Sequence, residues 1–434
     1  MTISSSLNAS VAGLNVNASK LATISDNIAN AGTYGYKRAD TDFSALVVSS
    51  SNGGYTAGGV TSTTRREISA QGSFVSTENA LDLAVVGRGM LPVTPIDGIS
   101  AVVPELRLKP TDSFSPDKNG TLVSASGFAL LGWPLDVNEQ PVTQLRDSMT
   151  GMRPVSIAGA QFVASPTTEM VLGVNLSADD TAVGASGDPN TVPIEYFDNF
   201  GSSQTLTATF TPTVPGAGAN SNTWTLTFDD SATAAGSNPI AEYTLVFDDT
   251  RGSGGSLLSV TTVTGNAYSA ADGTVQLDVG GGPIGVTLGP TGPGSSITQL
   301  SAEFAPSRIT KNGNRAGILT SLEFDADGYL NAIYDTGFSK RIFQVPVVDV
   351  PNMNGLAVQD AQTFSVTPQS GPFYLWDSGS GPSGVLTGFA LEQSTTDIAH
   401  ELTSLIETQR AYSSNAKVVQ TVDEMLQETT NIKR

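Results

Sequence analysis

The sequence predicts a mainly β protein with an α-helix at each chain end. Apolar residues recur at helical spacing near both termini, and between them apolar residues alternate with threonine, as in half-buried strands. Glycine occurs 45 times and proline 23 times in 434 residues, which favours the many turns of β-rich domains. We expect the two terminal helices to form a coiled-coil base, followed by nested β-rich domains with the outer one inserted into the inner one.

The N-terminal helix is predicted from a seam of apolar residues spaced three and four apart. Ser10 and Asn17 interrupt the seam, and Gly32 is a suitable residue to end the helix. The apolar members of the seam are Ile3, Leu7, Leu14, Leu21, Ile24 and Ile28.

The C-terminal helix is predicted over residues 392–434, which at 1.5 Å per residue gives a length of about 60 Å. Thr396 or Ser394 is expected to cap its start, and Glu401 and Lys417 are expected on its solvated face. The apolar members of its seam are Ile398, Leu402, Leu405, Tyr412, Val419 and Leu426.

The central region carries the period-two pattern of half-buried strands. The related runs TLTFDD and TLVFDD, at 225–230 and 244–249, indicate neighbouring strands. The clearest predicted strands are 206–210, 224–228, 243–247, 275–279 and 284–288. The resulting domain prediction is a helical base of 1–30 and 392–434, an extended connecting region of 31–72, an inner β domain of 73–164 and 306–391, and an outer inserted β domain of 165–305.

The charge excludes some classes of partner. The formal net charge is −20, and residues 154–307 contain fourteen acidic residues against one basic residue, Arg251. Such a surface repels phosphate backbones and anionic lipids, so nucleic acid is not an expected partner. No apolar run approaches the eighteen residues of a membrane span, and the N-terminus is not an ordinary secretory signal. A protein of this kind working outside the cell would need a specialised exporter.

The sequence offers no set of residues for catalysis, a cofactor or a metal. Cysteine is absent and His400 is the single histidine, which removes thiol chemistry and most nucleophile–histidine pairs. Residues 325–328 lack the further ligands of a calcium loop and are expected to form a hairpin turn. The glycine-rich runs 53–59 and 289–294 lack the Gly-Lys-Ser/Thr ending of a phosphate loop and are expected to be flexible loops. We therefore predict a protein that is not an enzyme.

The two terminal apolar stripes need burial, because isolated helices of this composition are marginal in water. Pairing them buries roughly ten large side chains at about 1.5–3 kcal/mol each before ordering entropy is subtracted. A two-helix pair leaves part of each apolar stripe exposed to solvent, and packing against other copies would bury this exposed part. An intramolecular hairpin without polymerisation is the alternative.

Two terminal segments resemble known signatures. Residues 26–37 are similar to the N-terminal signature of the axial proteins of the bacterial flagellar rod and hook, and residues 406–417 with 423–426 are similar to their C-terminal signature. The signature residues are Asn27, Asn30, Thr33, Gly35, Tyr36, Lys37, Gln409, Arg410 and Asn415. Residues 71–90 and 113–123 resemble the family's first β segments, but Met90-Leu91-Pro92 departs from its pattern and is expected to blur the local strand.

The large central insertion makes the chain most similar to the hook proteins of this family, since rod proteins are usually shorter. The resemblance implies a self-polymerising, flexible curved tube outside the cell that couples rod to filament and transmits motor torque. It implies contacts with the rod, the hook cap, hook-associated junction proteins and the flagellar export apparatus. The alternatives are a distal rod or hook-associated axial protein, and, in another class, an extracellular β-rich glycan-binding or hydrolytic protein.

The basic pairs Lys37-Arg38 and Arg65-Arg66 lie near the predicted helical base. One interpretation is that they are solvated. The other is that they form ion pairs with acidic residues across subunit contacts, which added salt would weaken.

Overall fold

The terminal helices pack against each other, as the sequence predicts. The computed structural model describes residues 3–47, 57–99 and 104–432. Helix α1 spans Ile3–Ala29 and helix α2 spans Ile398–Ile432. Gly13 of α1 lies against Asn415 of α2, whereas Arg38, just beyond the end of α1, contacts Glu401 in the first turn of α2. The two helices are therefore antiparallel, and the predicted fold class is confirmed.

The predicted start of the C-terminal helix is wrong. Glu392 ends a strand, and the helix begins six residues later at Ile398. The cap is Asp397, whose Oδ1 accepts hydrogen bonds from Ala399 N at 2.8 Å and His400 N at 3.2 Å. An aspartate at this position satisfies two free N–H groups and places a negative charge at the positive end of the helix. The predicted last residues, 433 and 434, lie outside the described part of the chain.

Between α1 and residue 159 the described residues form ten strands. The first two form a hairpin that packs against α1, the third pairs with the strand that precedes α2, and the other seven belong to a larger sheet. The strands are β1 (Ala39–Val47), β2 (Ala57–Arg66), β3 (Phe74–Ser76), β4 (Asp82–Val86), β5 (Leu91–Pro95), β6 (Arg107–Lys109), β7 (Thr111–Pro116), β8 (Leu122–Ser124), β9 (Phe128–Pro134) and β10 (Arg153–Pro154).

The central part of the chain forms the next eleven strands. They are β11 (Phe162–Ser165), β12 (Glu169–Ser177), β13 (Asn190–Phe197), β14 (Ser203–Pro212), β15 (Thr223–Asp230), β16 (Ala241–Phe247), β17 (Leu257–Thr264), β18 (Thr274–Val279), β19 (Gly282–Thr287), β20 (Ile297–Leu300) and β21 (Ala305–Lys311). The alternation of threonine with buried apolar residues in β14, β15 and β16 matches the predicted pattern.

The last strands precede α2. They are β22 (Asn314–Phe324), β23 (Tyr329–Tyr334), β24 (Ser339–Gln344), β25 (Val347–Asp349), β26 (Ala357–Val358), β27 (Phe364–Ser365), β28 (Tyr374–Trp376), β29 (Val385–Thr387) and β30 (Ala390–Glu392). The turn between β22 and β23 is the predicted hairpin: Asp325 Oδ1 accepts from Tyr329 N at 2.8 Å, and Gly328 has a φ of +85°.

The chain divides into two compact units. The first comprises Met1–Gly159, Ser321–Ile333 and Ser339–Arg434, and the second comprises Ala160–Thr320 and Tyr334–Phe338. In the first unit β24, β9, β5, β6, β27 and β26 pair in that order. Its core packs Trp133, Met90 and Phe364 together.

The second unit contains two five-stranded sheets that share one core. One sheet runs β13-β14-β15-β16-β17, and the other is β18-β19-β12-β20 with β21 also paired to β12. Trp224, Phe210 and Tyr243 lie in the shared core. Strands β15 and β16 pair antiparallel with Thr225 opposite Thr244, so the prediction of neighbouring TLTFDD and TLVFDD strands is confirmed.

Two local predictions are wrong. Met90-Leu91-Pro92 does not blur the strand, because β5 is regular and both Met90 and Leu91 are buried. Residues 57–59 of the predicted flexible loop belong to β2, and the remainder of that loop lies outside the described residues.

Candidate functional site

The N-terminal signature residue Asn27 joins α1 to the first strand. Its side-chain amide donates to Ala39 O at 2.8 Å, and its Oδ1 accepts from Ala39 N at 2.9 Å. Asn27 is buried, and its side-chain amide satisfies the backbone N–H and C=O of Ala39 as a neighbouring strand would. An aspartate would lose the donor, and an alanine would lose both bonds.

Tyr36 ties the end of β2 to the end of α1. Its hydroxyl donates to Asp26 Oδ2 at 2.9 Å, and the Arg66 guanidinium lies 4.7 Å from the ring centroid. Arg66 also donates to Asp26 Oδ2 at 3.2 Å and to Lys37 O at 2.9 Å. Burial of the phenol, followed by its hydrogen bond to Asp26, raises the pKa of Tyr36 to about 12.

Asn30, Thr33 and Gly35 shape the turn that follows α1. Asn30 Nδ2 donates to Asp26 O at 2.9 Å, and Thr33 N donates to Asn30 O at 3.0 Å. Gly35 has a φ of +70°, and a Cβ on it would lie 3.1 Å from Pro110 and from Thr111. Only glycine fits this position without strain.

Lys37 forms a buried ion pair with Glu392. The ammonium lies 2.6 Å from Glu392 Oε1, and the two side chains are 3% and 1% exposed. Lys37 also donates to Ala70 O at 2.6 Å, and the same glutamate oxygen accepts from Gly72 N at 2.7 Å. Both charges therefore have additional hydrogen-bond partners, as a buried pair requires.

Arg38 pairs with Glu401 at the start of α2. Arg38 Nε lies 2.5 Å from Glu401 Oε1, and Arg38 N donates to Thr395 Oγ1 at 2.8 Å. The expectation that Glu401 is solvated is wrong, since its side chain is fully buried. The expectation of solvated or intersubunit basic residues is also wrong for Lys37 and Arg38, because both pair within the chain. Sequence reasoning missed Glu392 and the pairing of Glu401.

A local signal for Glu401 does exist in the sequence. Glu401, Thr408, Asn415 and Val422 are spaced by seven residues and form one line along α2. Three of them are buried and Asn415 is half-buried beside Gly13. This line contacts α1. Counting back from the signature residue Asn415 in steps of seven residues therefore identifies Glu401 as a further contact position.

The predicted seam of α2 is a different line from the one that contacts α1. Ile398, Leu402, Tyr412 and Leu426 are 50%, 47%, 41% and 42% exposed, and Leu405 and Val419 are half-buried. They border the contact line and are only partly covered within one chain. Ile406, on the same side of the helix, is also exposed.

The predicted seam of α1 is likewise mostly at the edge of the contact. Ile24 is buried, whereas Leu7, Leu14, Leu21 and Ile28 are half-buried. The positions buried most deeply include the two polar residues that interrupt the seam. These buried positions are Ser10, Gly13, Val16, Asn17, Ile24 and Asn27. Ile3, the remaining predicted residue, is the first residue of α1, but its side chain lies outside the described part of the structure.

Gly13 and Asn415 mark a close approach of the two helices. A Cβ on Gly13 would lie 2.9 Å from Asn415 Nδ2. The other C-terminal signature residues, Gln409 and Arg410, are exposed, and Arg410 forms no ion pair within the described residues. The N-terminal signature is therefore largely internal, while Gln409 and Arg410 point to solvent.

Three family models match the chain. Residues 7–37 match "Flagella basal body rod protein", residues 164–314 match "Flagellar basal body protein FlaE D2 domain", and residues 388–432 match "Flagellar basal body rod FlgEFG protein C-terminal". Both terminal signatures and the second unit are thus covered by separate models.

Relatives that match over their full length show which family of flagellar rod and hook proteins the chain belongs to. The flagellar hook protein FlgE of Rhizobium meliloti (strain 1021) is 31% identical over 442 residues, covering all of both chains. That of Brucella suis biovar 1 (strain 1330) is 32% identical over 435 residues with the same coverage. The chain belongs to the flagellar hook protein FlgE family. Hook protein FlgE of Escherichia coli (strain K12) is more distant, at 26% identity over 98% of each chain.

The hook protein also resembles a solved structure, the Helicobacter pylori flagellar hook protein FlgE2. The likeness has a TM-score of 0.49 and 13% identity, covering 72% of this chain and 99% of the other. The family assignment rests on the full-length relatives and not on this likeness.

The hook protein is a structural component of the flagellum, and the prediction that it is not an enzyme is confirmed by its family. The predicted location, in the extracellular hook, is confirmed on the same basis. Within the described residues, neither helix has an apolar run of the length and hydropathy needed to cross a membrane.

Proposed function

We propose that copies of this hook protein polymerise through the apolar residues that remain exposed after α1 and α2 pair. The observation that carries the proposal is the exposure of Ile398, Leu402, Tyr412 and Leu426 while the polar line of Glu401 and its heptad partners contacts α1. Covering each large apolar side chain is worth about 1.5–3 kcal/mol at full burial. A second copy supplies that cover.

Gln409 and Arg410 support the same surface. They lie on α2 between Leu405 and Tyr412 and are exposed to solvent. An arginine at the edge of an apolar seam adds pairing specificity, because its guanidinium donates hydrogen bonds only to a correctly placed carboxylate or carbonyl oxygen. We infer that these two residues set the register between neighbouring copies.

We propose that the polymer is layered. α1 and α2 form the helical base within 1–30 and 392–434, with α2 starting at Ile398, 31–72 connects it, 73–164 with 306–391 forms the inner β domain, and 165–305 forms the outer domain. The acidic surface of 165–305 keeps neighbouring outer domains from adhering strongly. Weak adhesion leaves these domains free to slide, so we infer that the tube flexes while it joins rod to filament and transmits torque.

The partners at the two ends of such a tube are the rod and the hook-associated junction proteins, with a hook cap present during growth. The flagellar export apparatus delivers the subunits. The exposed helical surface supports end-on addition, since a subunit already in the polymer presents the same uncovered residues to the next copy.

The test is a single charge on the exposed line. Leu402→Asp places a carboxylate where a neighbour packs, and should raise the protein concentration needed for seeded polymerisation by more than about tenfold. Ala411→Asp, at an exposed position nine residues further and about 180° round the helix, is the matched control and should polymerise normally. Sedimentation and electron microscopy measure the polymerisation. If both variants polymerise equally well, the proposal is contradicted.

The shape of the polymer tests the hook against the rod alternative. A hook protein gives curved tubes and a distal rod protein gives straight ones. The full-length match to hook proteins favours the curved form.

A further inference from the structure

Small and polar side chains form much of the contact between α1 and α2. Ser10, Gly13 and Asn17 of α1 are buried, and so is Thr408 of α2. Asn17 Nδ2 donates to Gly13 O at 2.7 Å, and Thr408 Oγ1 donates to Ser404 O at 2.7 Å. Each of these two side chains is therefore satisfied by its own helix. Neither bond depends on where α2 lies along the axis of α1.

Glu401 differs from the other residues of α2 that contact α1, because it is charged. Its side chain is fully buried, and its Oε1 accepts a hydrogen bond from Arg38 Nε at 2.5 Å. Its Oε2 has no hydrogen-bond partner among the described residues. A buried ion pair adds little net stability, but leaving one of its charges unpaired is costly. The pair therefore distinguishes one alignment of the helices from the others.

Arg38 is itself held by the segment that precedes α2. Gly35 N donates to Glu392 O at 2.8 Å. Further along, Thr395 N donates to Tyr36 O at 3.1 Å, and Thr395 Oγ1 accepts from Arg38 N at 2.8 Å. The segment after α1 and the segment before α2 therefore lie side by side. The guanidinium is consequently available at one fixed position, just beyond the end of α1.

A displacement of α2 by one heptad would keep the same face of this helix against α1. Thr408, Asn415 and Val422 recur every seven residues, and seven residues correspond to about 10 Å along the helix axis. After such a shift Val422 would lie beside Gly13 in place of Asn415. Thr408 would then lie beside Arg38, and its hydroxyl does not neutralise the guanidinium. The ion pair is therefore what this displacement loses.

We propose that Glu401 determines the register of α2 against α1. Its pairing with Arg38 selects one alignment from a contact that is otherwise repetitive. The register sets how the exposed apolar residues of the two helices stand relative to each other, and so which surface a second copy meets. For this role in assembly the inference rests on the proposed polymerisation, whereas the register itself is a property of one chain.

The absence of cysteine makes the register measurable. A Cβ on Gly13 would lie 2.9 Å from Asn415 Nδ2, so Gly13→Cys with Asn415→Cys should form a disulfide in the native register. Gly13→Cys with Val422→Cys reports the register displaced by one heptad. The full-length protein is oxidised in a redox buffer before and after seeding, and mass spectrometry of a digest quantifies the disulfides within one chain. With Glu401 present, only the first pair should form.

Moving the carboxylate should move the helix. Glu401→Thr leaves Arg38 without this partner in either register, and should raise the ratio of displaced to native disulfide by more than about tenfold. Glu401→Thr with Thr408→Glu restores the ion pair one heptad later, and should make the displaced disulfide the dominant one. Glu407→Thr removes an exposed charge from the same helix, and as the matched control it should keep the native disulfide alone.

The outcomes separate the register from polymerisation. A native disulfide that stays dominant in both Glu401 variants overturns the proposed role of Glu401. If the variant with Thr408→Glu forms neither disulfide, Glu401→Thr alone decides, since it requires no new contact. Sedimentation of the same samples measures polymerisation separately. Unmodified protein that stays monomeric with seeds present overturns the proposed function, while the disulfides still report the register within one chain.

Discussion

Lys37 and Glu392 lie 355 positions apart in the sequence and form a buried ion pair at 2.6 Å. Lys37 follows the turn after α1, and Glu392 ends the strand that precedes α2. The pair therefore links the segment that follows α1 to the strand that precedes α2. Its partners Ala70 O and Gly72 N add a third segment to the same junction.

Removing one member of this pair should strongly destabilise the first unit. Lys37→Met leaves the Glu392 carboxylate buried with Gly72 N alone, at an expected cost of about 3–5 kcal/mol in unfolding free energy. Combining Lys37→Met with Glu392→Leu should recover part of that loss, because no unpaired charge remains. Urea unfolding of the monomers measures both values. Additive losses in the double variant would contradict coupling between the two residues.

The position of Glu392 also predicts how the chain tolerates truncation. Removing 398–434 deletes α2 but keeps Glu392, so the β parts of the first unit should remain folded. Removing 392–434 also deletes the partner of Lys37 and should lower the unfolding temperature of the first unit. Comparing the two truncated proteins by calorimetry measures what residues 392–397 contribute, namely the Lys37–Glu392 pair together with the Arg38–Thr395 hydrogen bond, with the second unit as internal control. Equal unfolding temperatures for the first unit would show that Glu392 does not stabilise it.

The close approach at Gly13 predicts a specific effect on the helical base. Gly13→Leu places a branched side chain where a Cβ alone would already be 2.9 Å from Asn415 Nδ2. We expect the helices to separate and polymerisation to be lost, with the β units unchanged. Hydrogen exchange of α1 amides in the monomer should become faster. Ala22→Leu, at an exposed position of the same helix, is the control and should leave exchange unchanged.

The buried phenol of Tyr36 predicts a stability change at high pH. Its pKa is raised to about 12 from 10.0, so the stabilisation is present below pH 10 and is lost as pH rises towards 12. Tyr36→Phe should flatten the pH dependence of the first unit's unfolding free energy in that window. The unfolding free energy of the second unit should keep its own pH dependence in this variant. That dependence comes from other groups, among them Tyr243, whose pKa is also raised to about 12, chiefly by burial.

The strands of the second unit could be predicted from sequence because their signal is local. Alternating threonine and apolar residues in β14, β15 and β16 fix which side chains face the core without reference to the rest of the chain. The end of the first helix can be predicted for the same reason, since Asn30 and Thr33 form the start of the turn through local hydrogen bonds.

The partners of the helices could not be predicted in the same way. Counting apolar residues identified the stripe of α2 but not that the polar line through Glu401 and Thr408 would contact α1. The local pattern places Glu392 in a helix, because nothing near it in the sequence indicates a lysine 355 positions away. Contacts set by distant segments override local propensity at both sites.

Asp230 of β15 joins the two sheets of the second unit. Its Oδ1 accepts from Tyr196 OH at 2.6 Å and its Oδ2 from Gly280 N at 2.9 Å, so it links β13 to the turn between β18 and β19. Thr233 Oγ1 donates to Oδ2 at 2.6 Å. Although burial alone opposes ionisation, these hydrogen bonds hold the pKa of Asp230 below 3.8.

Asp230→Asn should destabilise the second unit by about 1–3 kcal/mol, because an amide N–H₂ faces donors where the carboxylate accepted. The stabilisation from the lowered pKa is present above 3.8 and is lost as pH falls through the folded-state pKa, so the variant should also flatten the acid limb of that unit's stability. Urea unfolding of variant and unmodified protein between neutral and acid pH measures both effects. Asp229→Asn, the half-buried neighbour on the opposite face of β15, is the control. A loss of stability in Asp229→Asn as large as in Asp230→Asn would show that the buried carboxylate has no special part in joining the sheets.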